Sequence, residues 1–326
     1  MVNPAVPPVT TGALLAHWRP DVAGVVVLVA ASLYAAGVVL LRRRGDAWPI
    51  GRTLALLLGL LSVLVATAGG VGVYARVLFW MYTVQALVLL VGAPLLIAVG
   101  RPLELLAAVR GRPARGRIVA LLANPLLGPA ALPVLTFLLF FTPVLDASLR
   151  SSAVGAAVRL VLLAAGLVFA LPLIGDAAPR TSLAVALAAF VGFFELLADA
   201  VPGIVLRLQS TLLTTFYAGL HRPWGPPPLI DQQDGGSILW IVAEVVDLPF
   251  LALIVLQWIR ADQREAALID ARLDAAAPGA AEGEAGPVAW DPPAPGQEVP
   301  ATDRPWWETD ARVFGANRAA DFRPRR

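Results

Sequence analysis

Residues 22–41 read VAGVVVLVAASLYAAGVVLL and include no charged side chain. At about 1.5 Å of rise per residue, a helix of this length crosses about 30 Å, the thickness of the hydrocarbon core of a bilayer. Lipid offers no hydrogen-bond partner to the backbone, so a chain that crosses it in one pass must be helical. The stretch therefore predicts a transmembrane helix.

Apolar runs of similar length recur along the chain and predict seven spans in all. The other six cover residues 50–68, 77–100, 118–141, 154–174, 183–206 and 237–259. Hydrophobic residues make up 58% of the sequence and charged residues 15%, against about 45–50% and about 25% in soluble domains. We expect an all-α, polytopic membrane protein with seven transmembrane helices, and the composition excludes ordinary soluble folds.

The arginines predict the orientation, because basic residues concentrate in cytoplasmic loops. With the N-terminus outside, thirteen arginines fall on the inner side and six on the outer side. We therefore expect the N-terminus outside and the C-terminus inside. The expected divisions are an external segment at 1–20, a transmembrane domain at 21–260, a cytoplasmic helix extension at 261–274 and a disordered cytoplasmic tail at 275–326.

Several classes of chemistry have little support in the composition. Cysteine is absent, which excludes disulfides and thiolate catalysis. Two histidines, His17 and His221, and two methionines leave few ligands of the kind that copper prefers. No phosphate loop or dinucleotide motif occurs, and we expect no enzymatic activity, no bound cofactor and no nucleic-acid partner.

Four acidic side chains fall inside predicted spans, where a carboxylate costs about 2.5–3.5 kcal/mol. Glu195 and Asp199 share one helix face in the sixth span, and Glu244 and Asp247 share one in the seventh. Arg159, near the outer end of the fifth span, is the best internal partner. Two interpretations stay open: a proton- or cation-handling site, as in a small coupled transporter, or a structural network that holds the bundle together.

Two further segments carry polar residues. Tyr82 and Gln85 lie one turn apart in the third span, and Pro94 predicts a kink in its inner half. The segment Trp224-Gly225-Pro226-Pro227-Pro228-Leu229-Ile230-Asp231-Gln232-Gln233-Asp234-Gly235-Gly236 ends the largest outer loop. A rigid turn before a helix capped by Asp234 or Ser237 accounts for most of this segment. It accounts less well for the paired glutamines.

The order of these motifs resembles the polytopic CtaG-type cytochrome c oxidase assembly factors over about residues 20–270. The resemblance rests on Gln85 with the Gly92-Ala93-Pro94 sequence and on a motif in and after the outer loop. That motif comprises Trp224, Asp231, Gln232, Gln233, Gly236 and Trp240. It implies a multi-pass protein of the bacterial cytoplasmic membrane that helps a haem–copper oxidase mature, with oxidase subunits or other assembly factors as partners.

The chain departs from that family at the positions that would bind metal. The family has His-Met-x-Gln-His in span three, where this chain reads Tyr82-Thr83-Val84-Gln85-Ala86. The family also carries histidines at the outer start of span five, where residues 154–163 contain none and offer Arg159. Copper is implied by the resemblance, but its ligands are missing. We therefore expect a scaffold that binds no copper.

Overall fold

The computed structural model describes residues 6–19, 21–111, 127–174 and 200–276. Within these ranges all regular structure is helical, and no strand occurs, which confirms the predicted all-α class for the described part of the chain. Two compact units are separated after Asp270, and the second, Ala271–Arg326, is described only to residue 276. The predicted tail at 275–326 therefore lies almost wholly outside the described residues.

The described helices range in length from five residues to 49 residues. The first group is α1 Thr11–Ala16, α2 Val22–Arg43, α3 Ile50–Thr67, α4 Gly70–Tyr74, α5 Phe79–Leu87, a π-helical turn Val88–Gly92, α6 Ala93–Val99 and α7 Pro102–Arg110. The second group is α8 Leu127–Phe141, α9 Val144–Arg150, α10 Ser152–Ile174, α11 at 200–208, a 3₁₀ turn Ala218–Leu220 and α12 Pro228–Ala276.

Four described stretches are long and apolar enough to cross a membrane: Val22–Arg43, Ile50–Tyr74, Phe79–Arg110 and Ser152–Leu171. A fifth is formed if Pro133–Phe141 and Val144–Arg150, which are bent by 65°, make one span. Most of the sixth predicted span lies outside the described residues, as do many side chains of the seventh. The count of seven and the orientation therefore stay predictions.

Helix α5 is the centre of the described bundle. The side chains of Met81, Tyr82, Thr83, Gln85 and Ala86 are all buried, although three of the five carry polar groups. Helix α2, in contrast, leaves most of its valines and leucines exposed, as expected of a helix that faces lipid. The polar side chains of α5 are thus buried, where each needs a partner.

A π-helical turn stands where the sequence predicts a proline kink. The Ala93 amide donates to the Val88 carbonyl, five residues back, just before Pro94, which has no amide to donate. The widened turn lies against Gly166 of α10, because a Cβ there would come within 2.1 Å of the Leu90 carbonyl oxygen. The proline is accommodated by local widening, a common device at irregular points in helices.

Helix α12 begins nine residues earlier than its predicted span. It starts at Pro228, where proline lacks only an amide that would be unpaired anyway. Asp234 and Ser237 therefore lie inside the helix, and their predicted role as caps is wrong. Gly236 meets α11 so closely that a Cβ would lie 2.5 Å from the Arg207 backbone nitrogen. The exposed Trp240 follows one turn later, with its backbone against Gly203.

Candidate functional site

Asp231 caps helix α5 from a distant part of the chain. Its Oδ2 accepts a hydrogen bond from the Phe79 amide and its Oδ1 one from the Trp80 amide, each at 3.0 Å. The first amides of a helix have no acceptor within the helix, and the positive end of the helix dipole favours a carboxylate. The side chain of Asp231 is fully buried. It thus fixes the first turn of α12 against the first turn of α5.

Arg222 neutralises this buried carboxylate. Its Nη2 donates to Asp231 Oδ2 at 2.7 Å and to the Pro226 carbonyl oxygen at 2.7 Å. The arginine side chain is 5% exposed and the aspartate side chain 0%. Burial raises the pKa of Asp231, while the two amides and Arg222 act in the opposite direction. A buried ion pair with these hydrogen bonds is costly to break, because the remaining partner keeps its charge.

The two glutamines that the sequence left unexplained bind the backbone of the outer loop. Gln232 Oε1 accepts from the Leu213 amide at 2.8 Å, and its Nε2 donates to the Thr211 carbonyl oxygen at 3.0 Å. Gln233 Nε2 donates to the Gln209 carbonyl oxygen at 3.0 Å. Of these three consecutive side chains, Asp231 therefore holds α5, and Gln232 and Gln233 hold the loop.

Other side chains fasten the same loop and the N-terminal segment. The hydroxyl of Tyr217 donates to the Ala75 carbonyl oxygen at 2.9 Å, and burial raises the pKa of this tyrosine well above its ordinary value. The indole of Trp224 donates to the Val6 carbonyl oxygen at 2.9 Å. Through these bonds, the outer loop that contains Tyr217 and Trp224 contacts parts of the chain that are far away in sequence. We call this loop the closure around Trp224.

A small, partly open cavity lies among α4, α5, α9 and α10 and has room for a water-sized group. Polar atoms in its wall come from Tyr82, Gln85, Ser148, Arg76 and Arg159. The Tyr82 hydroxyl and Ser148 Oγ are 2.8 Å apart, and Gln85 Nε2 donates to the Ala66 carbonyl oxygen. We call this space the arginine cavity.

The family-motif positions of α5 and the arginine that stands in the histidine-bearing segment of α10 meet in this cavity. Tyr82, Gln85 and Ala86 line it from α5, and Arg159 lines it from α10. These segments are separate in sequence, and only the packing of α5 on α10 brings them together. The resemblance places metal ligands in both segments, so the arginine cavity corresponds to the site that it implies.

The groups that line the cavity do not fit a copper ion. Copper prefers sulfur and imidazole ligands, whereas two guanidinium groups that always keep their charge face this space. Within the described ranges, no three side chains from histidine, cysteine, aspartate and glutamate lie together as a metal site requires. Both histidines bond to nearby carbonyl oxygens instead, His17 to Ala13 and His221 to Gly219.

The proposed carboxylate cluster is only partly described. Glu195 and Asp199 lie outside the described residues, and so does the side chain of Asp247. Glu244 is exposed and accepts a hydrogen bond from the Trp240 indole at 3.0 Å. Arg159 pairs with Asp21 at 3.2 Å. The cluster therefore stays a prediction, and no described contact supports transport.

Three site residues escaped the interpretation of the sequence. Arg76 and Arg222 were counted only among the six arginines of the outer side. Asp21 directly precedes the first predicted span, 22–41. Asp21 caps α2 through the Ala23 amide at 3.4 Å and pairs with Arg159 across 138 positions. An aspartate directly before an apolar run does signal a helix cap. Nothing in the sequence indicates which distant arginine it meets.

Comparison with known proteins identifies relatives over most of the chain. An uncharacterized protein of Mycobacterium bovis and another of Mycobacterium tuberculosis are each 29% identical over 294 residues, covering 82% of this chain and 43% of theirs. An uncharacterized protein of Mycobacterium leprae is 26% identical over 283 residues, covering 79% of this chain and 42% of its own. The chain therefore spans less than half the length of these relatives. No solved structure matches it.

The family comparison covers the described bundle and the closure around Trp224. The match extends over residues 32–261, which includes the capped helix α5, the arginine cavity and the Asp231-Gln232-Gln233 motif. More than half of the chain is matched, and the resemblance inferred from the motifs is confirmed. The chain belongs to the cytochrome c oxidase caa3 assembly factor family, Caa3_CtaG.

Proposed function

We propose that this protein is an accessory factor in the assembly of a haem–copper cytochrome c oxidase and works as a membrane-embedded scaffold that holds no copper and catalyses no reaction. The family supports the assembly role. The arginine cavity supports the absence of copper, because Tyr82, Ala86 and Arg159 occupy the positions where the resemblance implies ligands. That replacement is the observation that carries the proposal.

A scaffold needs a stable surface more than a reactive centre, and the closure around Trp224 supplies one. Asp231, Gln232 and Gln233 fix the loop to the bundle through backbone atoms. Such bonds hold a loop conformation without depending on a ligand. We place the protein in the bacterial cytoplasmic membrane, with oxidase subunits or other assembly factors as its partners.

The test is a deletion strain complemented with the wild-type gene. We expect the deletion to lower oxidase activity and the haem absorbance of its membranes, and complementation to restore both. We also expect oxidase subunits to co-purify with the tagged protein from detergent-solubilised membranes. Unchanged oxidase activity and spectrum in the deletion strain would contradict the assembly role.

Metal analysis tests the second part of the proposal separately. The protein is purified after growth in copper-supplemented medium, and its copper is measured per chain. We expect far less than one copper per chain. One tightly bound copper per chain would contradict the copper-free scaffold while leaving an assembly role intact.

A further inference from the structure

Arg76 and Arg159 line the arginine cavity from separate elements. Arg76 lies in the turn between α4 and α5, and Arg159 projects from the second turn of α10. The side chain of Arg159 is only 18% exposed. Two like charges that line one small, partly buried space repel each other unless an anion lies with them.

The described acidic side chains do not balance this charge. Asp21 pairs with Arg159, and the same carboxylate caps α2. Among the residues that the structure describes, none accepts a hydrogen bond or forms an ion pair with the guanidinium of Arg76. Arg19 contributes a further positive charge nearby. Burial, Arg19 and Arg159 lower the pKa of Arg76, while Asp21 and Tyr217 act in the opposite direction. Three arginines thus surround one aspartate.

The neutral polar side chains of the cavity already have hydrogen-bond partners. Ser148 Oγ donates to the Leu145 carbonyl oxygen at 2.7 Å, so the Tyr82 hydroxyl donates to Ser148. Gln85 is bonded to Ala66. The donors left for a ligand are therefore those of Arg76 and Arg159, and these suit an anion. The space is small, which suits a small anion better than a phosphate ester or a large organic acid.

We propose that the arginine cavity binds one small monovalent anion of the chloride class through Arg76 and Arg159. Such a ligand offsets the repulsion between the two guanidinium groups and satisfies donors that the described chain leaves open. Formate carries the same single negative charge and is the smallest carboxylate. Chloride and formate share this chemistry, and the experiment distinguishes between them.

The test measures thermal unfolding of the purified full-length protein in detergent, with chloride replaced stepwise by gluconate at constant ionic strength. A ligand that binds only the folded state raises Tm with its concentration. We expect saturating chloride to raise Tm by about 2–5 °C over gluconate, a shift typical of a modest binding free energy in a domain of this size. Formate replaces chloride in a parallel series.

The variant Arg76→Gln removes one cation and leaves a shorter, neutral side chain. Arg207→Gln makes the same change at an exposed position outside the cavity and is the matched control. We expect Arg207→Gln to respond to chloride as the wild type does and Arg76→Gln to lose the response. Circular dichroism shows whether each variant keeps its helices. A second readout, anomalous scattering from bromide-soaked crystals, is expected to show one bromide at Arg76.

Two results would overturn the proposal. The first is an equal chloride response in wild type and Arg76→Gln, which would assign the effect to salt in general. The second is a wild type whose Tm does not change with chloride, together with a Glu195→Gln variant whose Tm rises with chloride. That result would indicate that the carboxylate of Glu195 is the anion that balances the two arginines. A Tm that rises with formate and not with chloride would show that the ligand is a carboxylate, and it would support an anion site in the arginine cavity. The purified chain suffices, so the outcome is independent of the assembly role.

Discussion

Asp231 and Phe79 are 152 positions apart in the chain, yet the carboxylate of Asp231 accepts a hydrogen bond from the backbone amide of Phe79 at 3.0 Å. This bond joins the starts of α12 and α5, the helix that carries Tyr82, Gln85 and Ala86 into the arginine cavity. The position of the cavity wall therefore depends on a residue that does not line it.

The first prediction concerns the charge of Asp231. Asp231→Asn keeps the shape of the side chain but leaves Arg222 buried without a counter-charge, and we expect a loss of about 3–5 kcal/mol in stability. Thermal unfolding in detergent measures it. Asp234→Asn is the matched control, because Asp234 is exposed three residues later, and it should change Tm by little. Equal effects of the two changes would refute the role given to Asp231.

The second prediction concerns the coupling of Asp231 with Arg222. When both charges are removed in Arg222→Met with Asp231→Asn, no unpaired charge remains buried. We expect the double variant to be more stable than Asp231→Asn alone, as buried ion pairs often behave when both partners are replaced. A double-mutant cycle on Tm gives the coupling, and purely additive effects would show that the two side chains act independently.

The third prediction concerns Gln232. Gln232→Leu is similar in size but leaves the Leu213 amide and the Thr211 carbonyl oxygen without their partner, at a cost of about 1–3 kcal/mol. We expect faster hydrogen exchange at the Leu213 amide and at neighbouring positions. Gln209→Leu is the control, because Gln209 contacts Gln233 through its backbone carbonyl and its side chain bonds only to the exposed hydroxyl of Thr211. Unchanged exchange in Gln232→Leu would contradict this assignment.

The fourth prediction concerns the crossing of α11 and α12. In Gly236→Ala the new Cβ would meet the Arg207 backbone nitrogen at 2.5 Å, and backbone atoms cannot move aside cheaply. We expect a loss of about 1–3 kcal/mol, typical of overpacking. Gly219→Ala, where a Cβ meets nothing within 4 Å, should leave Tm unchanged. A neutral Gly236→Ala would show that the two helices separate readily.

The fifth prediction tests why copper ligands are missing. Tyr82 and Ala86 are one turn apart on α5 and line the same cavity as Arg159. Replacing all three by histidine supplies imidazoles and removes one of the opposing cations. We expect this triple variant to bind about one copper per chain, measured by elemental analysis. Tyr82→Phe with Ala86→Ser serves as the control, and copper in both variants would place the metal elsewhere.

Helix positions followed from the sequence wherever one physical effect dominated. The predicted spans 22–41 and 50–68 agree with α2 and α3 to within two residues, because long apolar runs have no other stable form in lipid. The start of α12 was misplaced because the proline-rich segment reads as a turn, whereas Pro228 is well suited to the first position of a helix. The pairing of Arg159 with Asp21 was not predicted, because spacing along the chain says nothing about which helices pack together.

The sequence by itself determined that this is a helical membrane protein of an oxidase assembly family, and that it lacks the histidines of that family. Those properties depend on composition, periodicity and local motifs. Only the tertiary structure decided that Asp231 caps α5, that the paired glutamines hold a loop and that Arg76 and Arg159 share a cavity with Tyr82 and Ala86. Each of these relationships joins residues far apart in sequence, and the packing of helices, which local sequence does not encode, brings them into contact.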